Sequence, residues 1–176
     1  ENKKTLLIDC DFRKPAQYKI FEIPKEETID FLGMLKNKKD LDRTIRRWND
    51  SDLYMICNGA SSGSMEELEN SEVLGTVFEF FKKRMDYIII DTPPVAFVAD
   101  TEEIARMVDA SLLVIKQDTV LAKDINDTID AMNRAGAEVL GCVFNDVTAG
   151  FMEKAGHYGY GGYYGYGGYY GKRAKE

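Results

Sequence analysis

Apolar residues along this chain fall into short continuous runs separated by segments with helical spacing. The runs TLLID (5–9), LYMIC (53–57), DYIIID (86–91), SLLVIK (111–116) and VLGCVFN (139–145) read as strands. Most are near-continuous rather than alternating, as expected for strands buried on both faces of a parallel sheet. Between them, Leu74, Val77, Phe78, Phe81 and Met85 recur at three- and four-residue spacing, which predicts a helix behind a Ser64/Glu67 capping box. Asp100 and Glu103 form a second box, opening a short helix through Val108. Ile125, Ile129 and Met132 mark a third helix, stopped by Gly136. Residues 28–48 are expected to hold two short helices, with Leu41, Ile45 and Trp48 on one face of the second. Phe78, Phe80, Phe81 and Trp48 read as core or interface residues.

Strands alternating with helices imply right-handed crossovers and an α/β three-layer, Rossmann-like sandwich with a mostly parallel sheet. The pattern ends near Ala155. Residues 156–171 hold eight Gly, seven Tyr and His157, and YGYGGY occurs twice in tandem. Two copies cannot build a solenoid, and a stretch without aliphatic residues has no core to offset its ordering entropy. The expected organisation is a folded unit over 1–149 and a disordered, flexible tail over 150–176.

The 176 residues carry a net charge of −7. An acidic surface repels phosphate backbones, so nucleic-acid binding is not expected. Cys10, Cys57 and Cys142 are far apart and odd in number, which suits a reducing compartment better than a disulfide framework or a zinc site. No run of 18 apolar residues occurs, so no membrane-crossing helix is expected in this stretch. The chain opens on Glu1 and enters a strand at once, which reads as part of a longer protein.

In open α/β sheets, ligands bind beyond the carboxyl ends of the strands. The first run ends in Asp9-Cys10-Asp11-Phe12-Arg13-Lys14-Pro15, and the third ends in Asp91-Thr92-Pro93-Pro94. If the two strands lie close together, Asp9, Asp11 and Asp91 converge on one rim. Their repulsion there would be relieved by a hard dication such as Mg²⁺. An apolar strand ending in Asp also has the form of a Walker B strand.

These segments resemble those of a known family. LLIDCDFRKP is similar to the Walker A′ motif of the bacterial tyrosine kinases of capsule and exopolysaccharide export. IIIDTPP is similar to their Walker B motif, and the Gly/Tyr-rich end to their autophosphorylated tyrosine cluster. The resemblance implies a P-loop-NTPase-like fold and an ATP- and Mg²⁺-dependent protein-tyrosine kinase regulating polysaccharide polymerisation and export. It implies Asp9 as the proton-accepting base and Asp11 and Asp91 as Mg²⁺ ligands, with an exchange between Asp9 and Asp11 left open. Arg13 would steady a phosphate or a neighbouring subunit, or simply be solvated. Asn145 would contact the nucleotide base, or form a turn. Tyr158, Tyr160, Tyr163, Tyr164, Tyr166, Tyr169 and Tyr170 would accept phosphate.

The implied partners are other copies of the chain in a homo-oligomeric ring and a membrane-bound activator or polysaccharide co-polymerase, separate or fused. The implied location is the cytoplasm at the inner face of the cell membrane. The chain departs from the family in one respect: no G-x-x-x-x-G-K-[ST] loop occurs in it. The expectation is therefore that this stretch is the C-terminal portion of the kinase and is inactive alone. Two other classes stay open, a non-catalytic phosphoacceptor module of polysaccharide assembly and a MinD/ParA-like ATPase.

Overall fold

The computed structural model describes residues 2–37, 45–59, 63, 72–94 and 99–148. The Ser64/Glu67 box, Leu41, His157 and all seven tail tyrosines lie outside the described residues, as does the expected boundary at 149/150.

Strand β1 (Thr5–Asp9) lies between β3 (Leu53–Ile56) and β4 (Tyr87–Asp91), parallel to both. The register pairs Ile8 with Ile56 and with Ile90, and Asp9 with Asp91. Successive β1 side chains point to opposite faces. Leu6 and Ile8 are fully buried in the main apolar cluster, whereas Leu7 packs into a second cluster with Met55, Cys57, Tyr18, Phe21 and Trp48. A strand covered on both faces must be apolar throughout, which is why the run shows no polar alternation before Asp9.

Helix α3 (Glu72–Lys82) supplies much of the main cluster, burying Leu74, Val77, Phe78 and Phe81 along one stripe. Each such side chain contributes roughly 1.5–3 kcal/mol of gross burial energy. Phe80, on the flank of that stripe, packs edge-to-face on Phe81 and carries the Arg84 guanidinium 3.6 Å from its ring centroid. Helix α4 (Ala99–Ala105) follows β4, and helix α5 (Ala122–Ala135) connects the parallel pair β5 (Ala110–Lys116) and β6 (Glu138–Asn145). Gly136 ends α5 at φ 95°, and the Ala137 N–H bonds the Met132 carbonyl. A left-handed residue followed by that six-residue closure is the Schellman stop for which glycine is suited.

Three features differ from the sequence expectation. The second short helix expected through Trp48 is not formed over its described part. Arg46–Arg47 instead form strand β2, antiparallel to β3, and Trp48 packs edge-to-face on Phe21. The edge of β3 offers ladder hydrogen bonds that two residues can take without nucleating a helix. A four-residue helix α1 (Gln17–Ile20) and the helix α2 (Phe31–Asn37) precede this strand, and α1 carries no apolar periodicity by which to anticipate it. Finally, the strands form two sheets among the described residues, β2-β3-β1-β4 and β5-β6. No described strand joins β4 to β5, and Tyr87, Ile89, Leu112, Val114 and Leu140 of these strands remain exposed.

Two glycines give opposite tests of this backbone. A Cβ at Gly75, inside α3, meets nothing among the described residues within 4 Å, so Gly75→Ala is expected to stabilise by about 1 kcal/mol. Gly136→Ala forces a Cβ onto a left-handed residue and is expected to destabilise by about 1 kcal/mol. Urea unfolding midpoints of the two variants should move in opposite directions; a shared direction would contradict the assigned helix interior and stop.

Candidate functional site

The described residues with the greatest chemical potential sit at the carboxyl ends of β1 and β4. Asp9 is fully buried. A buried carboxylate needs hydrogen-bond donors, and the loop that follows supplies them. Asp9 Oδ1 accepts the Asp11 N–H at 3.1 Å, and Oδ2 accepts those of Ala16 at 3.1 Å and Gln17 at 3.2 Å. Burial pushes the Asp9 carboxyl up, against the lowering effect of these three N–H groups, and the nearby charge of Asp91 adds to the rise.

Asp11 is half-buried and closes a smaller turn, its Oδ1 accepting the N–H groups of Arg13 at 3.2 Å and Lys14 at 2.9 Å. Between these turns, Phe12 is buried and stacks on Phe31 with ring centroids 6.3 Å apart, so the loop is pinned by an apolar anchor. Arg13 is exposed.

Asp91 is half-buried and meets Asp9 in register. Its Oδ2 accepts a 2.6 Å hydrogen bond from the Gln17 side-chain Nε2, and its backbone carbonyl accepts the Cys10 N–H at 2.8 Å. Beyond it, the buried hydroxyl of Thr101 donates to the Pro93 carbonyl at 3.0 Å, tying α4 to the proline pair. From the other side comes Asn58, fully buried at the end of β3. Its Nδ2 donates to the Asp9 carbonyl at 2.7 Å, and its Oδ1 accepts the Phe31 N–H at 3.0 Å.

The sequence expectation of three converging carboxylates is met only by two. Among the described residues, no group of three or more His, Cys, Asp or Glu side chains stands close enough to hold a metal ion. The reason is local: Asp11 Oδ1 is taken by its own loop's N–H groups. The donor set still suits Mg²⁺, which is commonly bound through one or two carboxylates together with substrate phosphates and water. Asp91 offers a hard oxygen of that kind, whereas Asp9 is committed to backbone donors and Asp11 Oδ1 to the N–H groups of its own loop.

Asn145 stands at the carboxyl end of β6, in the second sheet, and its Oδ1 accepts the Asp146 N–H at 2.9 Å. Cys57, close to Asp9, has its thiol pushed up to about 12 by burial, with the Asp9 charge adding to the rise, so it stays protonated and is no nucleophile.

Sequence reasoning missed Asn58, Gln17 and Thr101. Asn58 carried the same signal as the two aspartates, a polar residue directly after an apolar strand. Gln17 and Thr101 carried none, because their roles exist only after the loop and helix have folded back.

No family model matches the chain. It is 32% identical over 157 residues to tyrosine-protein kinase CpsD of Streptococcus pneumoniae, a match covering 89% of this chain and 68% of that one. It is 32% identical over 142 residues to CapB of Staphylococcus aureus, covering 81% of this chain and 61% of CapB. Among solved structures, the kinase domain of Escherichia coli tyrosine kinase ETK superposes with a TM-score of 0.74 at 26% identity, covering 84% of this chain and 57% of that one. The chain thus spans between about half and two thirds of the length of these three proteins.

Asn58 gives the test of this architecture. Asn58→Ala removes both amide bonds and leaves the Phe31 N–H and Asp9 carbonyl without their buried partner, at a cost of roughly 2 kcal/mol. Chemical denaturation should show that loss; an unchanged midpoint would mean that water replaces the amide.

Proposed function

The chain belongs to the bacterial tyrosine-protein kinases, and from that premise we propose that it carries the catalytic carboxylates and acceptor tail of an ATP-dependent protein-tyrosine kinase. The observation that supports this reading is the pairing of Asp9 with Asp91 at the sheet's carboxyl edge, with the A′ loop folded back over both. Phosphoryl transfer to tyrosine forms a bond between the phenol oxygen and the γ-phosphorus. It breaks the bond from that phosphorus to the β–γ bridging oxygen, releases ADP, and leaves one phenol proton needing an acceptor. The chain's part is to position groups and to take that proton.

Of the two orders open for Asp9 and Asp11, burial favours Asp11 as the group that meets the phenol. Asp9 is fully buried and bonded by three N–H groups, so its role is to organise the loop. Asp91 offers its carboxylate to Mg²⁺. When bound, that ion supplies charge neutralisation at the transferring phosphoryl group. In this reading Arg13, exposed on the same loop, steadies a phosphate or a neighbouring copy.

The acceptors in this reading are Tyr158, Tyr160, Tyr163, Tyr164, Tyr166, Tyr169 and Tyr170 of neighbouring copies. Each phosphate adds about −1.5 to −2 charges, so full modification repels a docked tail and loosens the assembly. Through that cycle the kinase would regulate polysaccharide polymerisation and export beside a membrane-bound activator. None of the 176 residues forms a G-x-x-x-x-G-K-[ST] loop, so this stretch by itself is expected to bind ATP weakly.

The test is phosphopeptide mapping of the tail on the complete native gene product after incubation with Mg·ATP. Native protein is expected to carry phosphate on several tail tyrosines, and Asp9→Asn and Asp11→Asn to carry none. Only Asp9→Asn should also lower the melting temperature, because its amide turns an N–H toward backbone donors. Full phosphorylation in Asp11→Asn would overturn its assignment. An unphosphorylated native protein would overturn the kinase reading in favour of an interaction module.

A further inference from the structure

One residue grips both strand-end carboxylates. The backbone N–H of Gln17 donates to Asp9 Oδ2 at 3.2 Å, and its side-chain Nε2 donates to Asp91 Oδ2 at 2.6 Å. Asp9 and Asp91 are register partners on adjacent strands, so this single side chain crosses from the loop after β1 to the end of β4. The residue is half-buried, which leaves the amide partly shielded and its bond correspondingly persistent.

The choice of an amide is informative. A lysine or arginine at this position would neutralise Asp91 and compete with any cation for it. An amide donates to the ionised carboxylate without adding charge, and so fixes its direction while leaving its negative charge intact. It also uses one oxygen: among the described residues, no hydrogen bond is made to Asp91 Oδ1, whereas Oδ2 is occupied by Gln17. A carboxylate ligand held by such an outer partner is oriented before the ion arrives, and loss of the partner commonly costs 10–100-fold in metal affinity.

We propose that Gln17 is a positioning residue of this site, holding the Asp91 carboxylate so that its remaining oxygen is directed to a divalent cation. The inference rests on the kinase reading above in taking Asp91 as the cation ligand. Gln17 itself touches neither the cation nor the substrate. Its backbone N–H, which serves Asp9, is retained in any non-proline substitution. Changing the side chain therefore separates the hold on Asp91 from the fold of the loop.

The experiment compares native protein with Gln17→Met in the complete gene product. Methionine keeps the length of the side chain and removes the donor. Lys19→Met, an exposed change on the same short helix, serves as the control. The first readout is direct binding of Mn²⁺ alone, followed by electron paramagnetic resonance. The second is the Mg²⁺ concentration giving half-maximal tail phosphorylation.

Gln17→Met is expected to raise the Mn²⁺ dissociation constant about tenfold and to raise the Mg²⁺ requirement by a similar factor. Its rate at saturating Mg²⁺ should approach native, and its melting temperature should stay within about 2 °C of native. Lys19→Met should match native in both readouts. Unchanged or tighter Mn²⁺ binding in Gln17→Met, with native phosphorylation intact, would overturn the positioning role and leave the kinase reading standing. A native protein that neither binds Mn²⁺ nor phosphorylates its tail would overturn both.

Discussion

A carboxylate taken out of water must find donors, and in this fold that demand is concentrated on Asp9. Its three N–H partners come from residues 11, 16 and 17, so satisfying one buried side chain dictates the path of the whole loop after β1. The return of that path sets the start of α1. It also brings the Gln17 side chain within reach of β4. The backbone at Asp9 is tied as well, through Asn58, which links the end of β3 to the start of α2. Three strands and two helices thus share a boundary condition set by one charge that cannot be solvated.

The two apolar clusters make that boundary stiff. Leu6 and Ile8 are held against α3 on one face of β1, and Leu7 against Tyr18 and Phe21 on the other. Neither face can slide without moving apolar side chains into water, so the Asp9–Asp91 register is fixed by packing remote from the carboxylates themselves. Phe12 extends the same logic into the loop, since a buried ring between two Asx turns converts a polar segment into a rigid one.

Much of this was legible in the sequence, for identifiable reasons. Runs such as TLLID and YIIID announce strands because continuous apolar character over five residues suits a sheet, and TLLID is the one that the described residues bury on both faces. Asp9 and Asp91 were legible as strand-end carboxylates, and Gly136 as a helix stop. The helix expected through Trp48 failed because apolar spacing alone cannot weigh a helical turn against an available sheet edge. The convergence of Asp11 failed because its nearest donors are its own neighbours at 13 and 14, a competition invisible in a one-letter pattern. Gln17 could not be read at all. Its meaning comes from a contact spanning 74 residues, and no periodicity marks such a pair.

The exposed apolar side chains of β4, β5 and β6 have a consequence of another kind. Tyr87, Ile89, Leu112, Val114 and Leu140 are each more than half exposed, on strands of which no residue is fully buried. Water meets hydrocarbon there, and among the described residues no strand pairs with the outer edge of β4 or joins it to β5 and β6, the combination that favours edge-to-edge association. Handled as an isolated polypeptide, this stretch would therefore be a poor colloid. Association through these strands would then compete with folding as its concentration rises.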